Sequence, residues 1–135
     1  MKYIGKEDKS IYKVLLVDDS AFMRKWITNI LHKSSRYIVS AETSNGREAI
    51  LSYKDHRPDI VILDVVMNDL DGAQTLRILK QLYPSVQVIM CSSLAHSSLL
   101  KDCLAIGAKD FVIKPNFNNF IEILDNAMQQ SKYSV

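Results

Sequence analysis

The stretch Ile60-Val61-Ile62-Leu63-Asp64 decides the fold. Four consecutive apolar residues read as a strand buried on both faces, the pattern of a parallel sheet. A carboxylate closes the run at the strand's carboxyl end. Val14-Leu15-Leu16-Val17-Asp18-Asp19 repeats the pattern. In open α/β sheets the working groups lie just beyond the carboxyl ends of the strands, where strand order reverses. If these two strands are neighbours, three carboxylates meet in one crevice. Like charges that close call for a cation.

Outward from that strand, the chain alternates strand and helix. Strands are predicted over 14–17, 37–41, 60–63, 86–91 and 111–113, and helices over 21–33, 47–56, 72–83, 99–106 and 118–130. The first helix carries Phe22/Met23, Trp26/Ile27 and Ile30/Leu31 in steps of about one turn, a wide apolar stripe that would bury Trp26. Ser20 is placed to cap it. The strand at Tyr37–Ala41 carries a serine and alternates less cleanly, which suits a sheet edge. Asn45-Gly46 is a turn, Pro58 stops the second helix, and 65–71 is a loop in which Asp71 caps the third. Pro84-Ser85 breaks that helix, 92–98 reads as a loop, and Gly107 ends the fourth helix. Phe120, Ile123/Leu124 and Ala127/Met128 form the buried stripe of the last. Five strands alternating with five helices mean an α/β fold with a parallel sheet.

The 135 residues suit one domain over 13–131, with a lead-in at 1–12 and a tail at 132–135. A net charge of +2 gives no reason to expect direct binding of nucleic acid or a membrane. No apolar run approaches the ~18 residues of a spanning helix, and Met1–Ser10 lacks a signal-peptide core, so a cytoplasmic location is expected. Cys91 and Cys103 have no metal spacing and read as reduced, partly buried thiols.

The chemistry lies in a set of residues that are individually bland. Asp18-Asp19 alone is a solvated turn, Ser92 a capping hydroxyl, Lys114 a surface lysine. All of them, with Asp64 and Ser93, follow predicted strands, so the topology gathers them on one sheet edge. Three carboxylates suit a hard cation such as Mg2+, and a hydroxyl and an ammonium suit the oxygens of an anion. Phosphoryl transfer needs that combination, because there the protein mainly positions groups and neutralises charge.

The chain resembles the receiver domain of bacterial two-component response regulators, the CheY-like family. The resemblance rests on Val17-Asp18-Asp19-Ser20, Leu63-Asp64, Met67 with Asp69-Leu70-Asp71-Gly72, Met90-Cys91-Ser92-Ser93, Gly107-Ala108 and Lys114-Pro115. Ala21-Phe22-Met23-Arg24 and Cys91-Ser92-Ser93 look most like the chemotaxis branch. It implies a doubly wound, flavodoxin-like sheet of order 2-1-3-4-5. It also implies a phosphoacceptor at Asp64, Mg2+ held by Asp18, Asp19, Asp64 and the backbone carbonyl of Val66, and phosphoryl contacts from Ser92 and Lys114. Ser92 and Phe111 match the switch pair, and Lys114–Pro115 the family's cis peptide bond. Val66 and Leu94 match the positions that tune hydrolysis; neither can orient a water, so a slow loss of phosphate is expected. The implied partners are a sensor histidine kinase as phosphodonor and a downstream protein target on the face made by the fourth helix, fifth strand and fifth helix. No separate enzymatic activity is implied beyond self-catalysed phosphoryl transfer and hydrolysis.

Two residues depart from the pattern: Asn68 stands where the family usually has proline, and Phe111 lacks the hydroxyl often found there. Other readings fit less well. The chain could be the receiver part of a larger regulator, a methylesterase or a transcription factor; the absence of an obvious linker favours the short protein. A flavin carrier needs a hydroxyl- and glycine-rich loop after the first strand, where two aspartates would repel a phosphate. A haloacid-dehalogenase-type phosphatase needs a second Asp two residues beyond its nucleophile, where this chain has Val66 or Ser20. The intact acidic set, with Ser92 and Lys114, speaks against a degenerate scaffold.

Overall fold

The structure, a computed structural model, describes residues 11–133, with side chains to 129. The predicted lead-in and tail lie mostly outside the described residues. β1 (Tyr12–Val17), β2 (Tyr37–Thr43), β3 (Ile60–Asp64), β4 (Val88–Ser93) and β5 (Asp110–Lys114) form one parallel sheet of order β2-β1-β3-β4-β5. The helices are α1 (Ala21–Lys33), α2 (Gly46–His56), α3 (Gly72–Leu82), α4 (Ser97–Ile106) and α5 (Phe120–Tyr133).

Successive strand residues point to opposite faces, and both faces are covered. Leu15, Val17, Val61, Leu63, Val88 and Met90 pack against Ala49, Leu76, Leu79, Leu100 and Cys103 of α2, α3 and α4. Val14, Leu16, Ile60, Ile62, Ile89 and Val112 pack against Ile27, Leu31, Phe120 and Leu124 of α1 and α5. Every residue of β3 is buried, as its unbroken apolar run requires.

Several element ends differ from the sequence reading. β1 starts at Tyr12, whose ring stacks on Tyr37 at 5.6 Å, and β2 continues to Thr43. β4 starts at Val88 and runs through Ser93. The predicted 92–98 loop is therefore mostly ordered: a 3-10 turn at Leu94–His96 leads directly into α4. α5 starts at Phe120, because Asn116 turns back to accept from the Asn118 amide at 3.2 Å. α2 starts at Gly46 and ends at His56 as read; its C-cap Arg57 has a left-handed φ of 44° and lays its guanidinium over Tyr83 at 4.5 Å. Trp26 is not buried. It is 38% exposed and meets Phe22 and Phe117 edge-on at 5.9 and 5.4 Å, because the buried stripe of α1 narrows to Ile27 and Leu31. Both cysteines are free and fully buried rather than partly so. The Lys114–Pro115 bond is cis.

Two glycines have a required role. A Cβ on Gly72 would collide with the Asp64 carbonyl oxygen and with Val65, so only glycine lets α3 start against the end of β3. Gly107 ends α4 with φ 132°, a conformation that L side chains rarely adopt.

Asp71 fixes the start of α3 through a reciprocal cap. Its Oδ1 accepts from the Gln74 amide at 2.8 Å, while Gln74 Oε1 accepts from the Asp71 amide at 3.1 Å. Asp71→Ala is expected to destabilise the fold by about 1 kcal/mol. Thermal unfolding should show a midpoint lower by about 3 °C.

Candidate functional site

The strand register assembles the site. Val17 pairs with Leu63, Asp64 with Cys91, and Ser93 with Lys114. The residues that leave β1, β3, β4 and β5 therefore emerge level with one another. Asp18 and Asp64 are 1% and 5% exposed, Asp19 is exposed, and one carboxylate oxygen from each lies within 4.8 Å of the others. Lys114 Nζ donates to Asp18 Oδ2 at 3.1 Å and to Asp64 Oδ2 at 3.2 Å. A cleft of about 260 Å³ opens over them, lined by Asp19, Asp64, Val66, Ser92, Ser93, His96 and Lys114.

The β1–α1 loop is held on three sides. Asp18 Oδ1 accepts from the Ser20 amide at 2.9 Å, and the Asp18 amide donates to the Thr43 carbonyl at 3.2 Å. Arg24 Nη1 donates to the Asp18 carbonyl at 2.7 Å, while its Nε pairs with Glu42 at 2.9 Å. Arg24 thus ties the acidic loop to the edge strand. Ser92 is buried, and its hydroxyl donates to the Ser93 carbonyl at 2.9 Å.

Burial pushes the Asp64 carboxyl up to about 6, and the neighbouring Asp18 charge adds to the rise; Lys114 and the Val66 amide pull it partly back. Burial would lower the Lys114 ammonium, but Asp64 and Asp18 outweigh it and hold Lys114 above the usual lysine range. Three carboxylates against one ammonium leave a formal charge of about −2. A hard-oxygen donor set with that residual charge fits a divalent cation such as Mg2+. Asp18, Asp19, Asp64 and the Val66 carbonyl are the groups that could hold it.

Leu94 and Phe111 are not among the residues lining the cleft. Leu94 is 73% exposed in the 3-10 turn. Together with Phe111 it lines an apolar groove of about 640 Å³ between α4 and β5, completed by Leu100 and Leu104. Val66 does line the cleft, and its side chain is 42% exposed. Sequence reasoning overlooked His96 and Arg24. His96 falls within a stretch read as loop, although its spacing of three from Ser93 is that of one 3-10 turn. Arg24 stands four residues after Ser20, one helical turn above the Asp-Asp pair.

The response regulator receiver domain family matches residues 14–126, most of the chain. The protein belongs to that family. It is 42% identical over 104 residues to the chemotaxis protein CheY of Bacillus subtilis, covering 77% of this chain and 86% of that one. It is 39% identical over 113 residues to a protein-glutamate methylesterase/protein-glutamine glutaminase of Bacillus licheniformis, covering 82% of this chain but only 31% of that one. Among solved structures, the CheX-CheY-BeF3-Mg+2 complex from Borrelia burgdorferi matches with a TM-score of 0.75 and 34% identity, over 92% of this chain and 90% of that one. The receiver thus matches a chemotaxis regulator over nearly the whole of that regulator's length and a methylesterase over only a third, which supports a chemotaxis response regulator. Among the described residues no helix is long and apolar enough to cross a membrane.

The raised Asp64 carboxyl has a consequence for stability. Its folded value of about 6 exceeds its ordinary 3.8, so the folded protein binds that proton more tightly than the unfolded chain. The stabilisation is complete below the unfolded value and is lost as pH rises through about 6. At neutral pH without metal, Asp64→Asn is expected to raise the melting temperature by about 2–4 °C. That gain should vanish as the pH is lowered toward 4, which melting curves at stepped pH will show.

Proposed function

We propose that the receiver is a phosphorylation-activated chemotaxis regulator that takes a phosphoryl group on Asp64 from the phosphohistidine of a sensor kinase, in the cytoplasm. The observation that carries this reading is the Asp18–Lys114–Asp64 arrangement at the strand ends, where Lys114 bridges the two buried carboxylates and faces the cleft. Asp64 ends the central strand, and Gly72 packs against its carbonyl, so its carboxylate is fixed for in-line attack. In the transfer an Asp64 oxygen bonds to phosphorus, and the bond from phosphorus to the donor nitrogen breaks, leaving its electron pair on the imidazole. Lys114, freed from its second carboxylate contact, then pairs with a phosphoryl oxygen. Bound Mg2+ would supply neutralising charge to the phosphoryl oxygens.

Ser92 is the proposed reporter of the event. Its hydroxyl leaves the Ser93 carbonyl for a phosphoryl oxygen, which pulls on the end of β4 and the turn beyond it. Phe111 and Leu94 share the groove next to that turn, so the change reaches the α4–β5–α5 face, where a downstream protein is proposed to read it. The relatives support the short-regulator reading, because this chain spans most of the chemotaxis protein and a minor part of the methylesterase. The Borrelia relative, seen with CheX, BeF3 and Mg2+, supports both the cation and a protein partner.

Two measurements test the proposal. With acetyl phosphate and Mg2+, the wild type should acquire acid-labile phosphate and Asp64→Asn should acquire none; full labelling of the variant overturns the assignment. Mg2+ alone should raise the melting temperature in step with occupancy, and Asp19→Ala should abolish the shift. A wild-type melting curve that Mg2+ leaves unmoved would remove the metal site.

A further inference from the structure

His96 is a cleft residue that phosphoryl uptake does not use. It ends the 3-10 turn and precedes α4, yet its side chain caps neither helix. Its Nδ1 lies 3.0 Å from the Ser93 hydroxyl, and both residues line the cleft beside Asp64 and Lys114. Two polar side chains at the mouth of the site are thus paired with each other and turned to the cleft rather than used to hold the backbone.

The other lining groups are committed elsewhere once Asp64 carries phosphate. Asp19 belongs to the cation set, Lys114 to a phosphoryl oxygen, and Asp64 itself is an acyl phosphate. The Val66 side chain has no polar atom, and Leu94 is outside the cleft. Ser92 and Ser93 are hydroxyls, too weakly basic to take a proton at neutral pH. Of the cleft residues, that leaves one group able to accept a proton there, an imidazole.

We propose that His96 is the base that positions and deprotonates the water that removes phosphate from Asp64, with Ser93 as its positioning residue. This rests on Asp64 being the phosphoacceptor. The Ser93 hydroxyl accepts from Nδ1–H, which leaves the Nε2 lone pair for the water. The water oxygen bonds to phosphorus as the bond from phosphorus to the Asp64 oxygen breaks, and the electron pair of that bond returns to the carboxylate. The water's proton passes to Nε2 and then to solvent, and inorganic phosphate departs. The charged groups facing the same cleft are Asp19 from the end of β1, Asp64 from β3 and Lys114 from β5. The slow hydrolysis expected from apolar Val66 and Leu94 is thereby replaced by a rate set by the histidine.

The test follows loss of phosphate from protein labelled with acetyl phosphate, after removal of the donor and with Mg2+ present. Wild-type loss should accelerate with rising pH, because a base that takes the water's proton acts only in its unprotonated form. His96→Ala should slow the loss about tenfold where the wild type is fastest and flatten the pH profile. His96→Gln, which can hold a water but not take its proton, should recover part of the rate and leave the profile flat. Ser93→Ala should slow the loss less than His96→Ala and keep the slope. Equal rates for wild type and His96→Ala, or a pH slope that survives in His96→Ala, overturn the proposal. Uptake of label by the wild type tests the phosphoacceptor reading separately: without uptake both fall, and with uptake but an unchanged rate of loss only the role of His96 falls.

Discussion

One ammonium held between two buried carboxylates is the contact on which the site depends. Asp18 and Asp64 are nearly inaccessible to water, and neither has enough hydrogen-bond donors of its own to offset that. Lys114 reaches both from the far side of β4, at 3.1 and 3.2 Å. Removing it would leave two like charges facing each other in a poorly solvated space, the costly half of a broken buried ion pair. The sheet order follows the same need: β1 and β3 must be neighbours for the carboxylates to meet, and β5 must end level with them for the lysine to arrive.

The site remains under-neutralised, and this gives it its chemistry. A fully compensated cluster would have no affinity for a cation or for a phosphoryl group. Here the surplus negative charge suits a divalent cation, and such a cation with Lys114 would cancel the three carboxylate charges, so that an anion would no longer be repelled. Burial raises the Asp64 carboxyl first, and the neighbouring Asp18 charge adds to the rise.

How much of this is legible in the sequence depends on how local each cause is. β3 reads correctly because burial on both faces needs an uninterrupted apolar run, and Asp64 at its end stands out against it. Asp71 and Gly107 are legible because caps have short-range chemistry. The extra turn of ordered chain at Leu94–His96 is not legible, because the alanine and the flanking serines suit a loop equally well. Trp26 misleads because its spacing places it on an apolar stripe, but only Ile27 and Leu31 of α1 are buried, with Met23 and Ile30 packed at the margin of the core. The place of Leu94 follows from that turn, which rotates it into the α4–β5 groove. His96 escapes notice because its significance comes from which side chains share a cleft with it, a property no linear pattern records.

Cys91 pairs with Asp64 across the β3–β4 ladder, and burial pushes its thiol up to about 12. The thiolate is the nucleophile that attacks peroxides and disulfides, and almost none of it exists at neutral pH. A sulfur atom one strand away from the Asp64 carboxylate is thus insulated from oxidants. A sulfenic acid at Cys91, which would crowd the core between the sheet and helices α1 and α5, is thereby disfavoured.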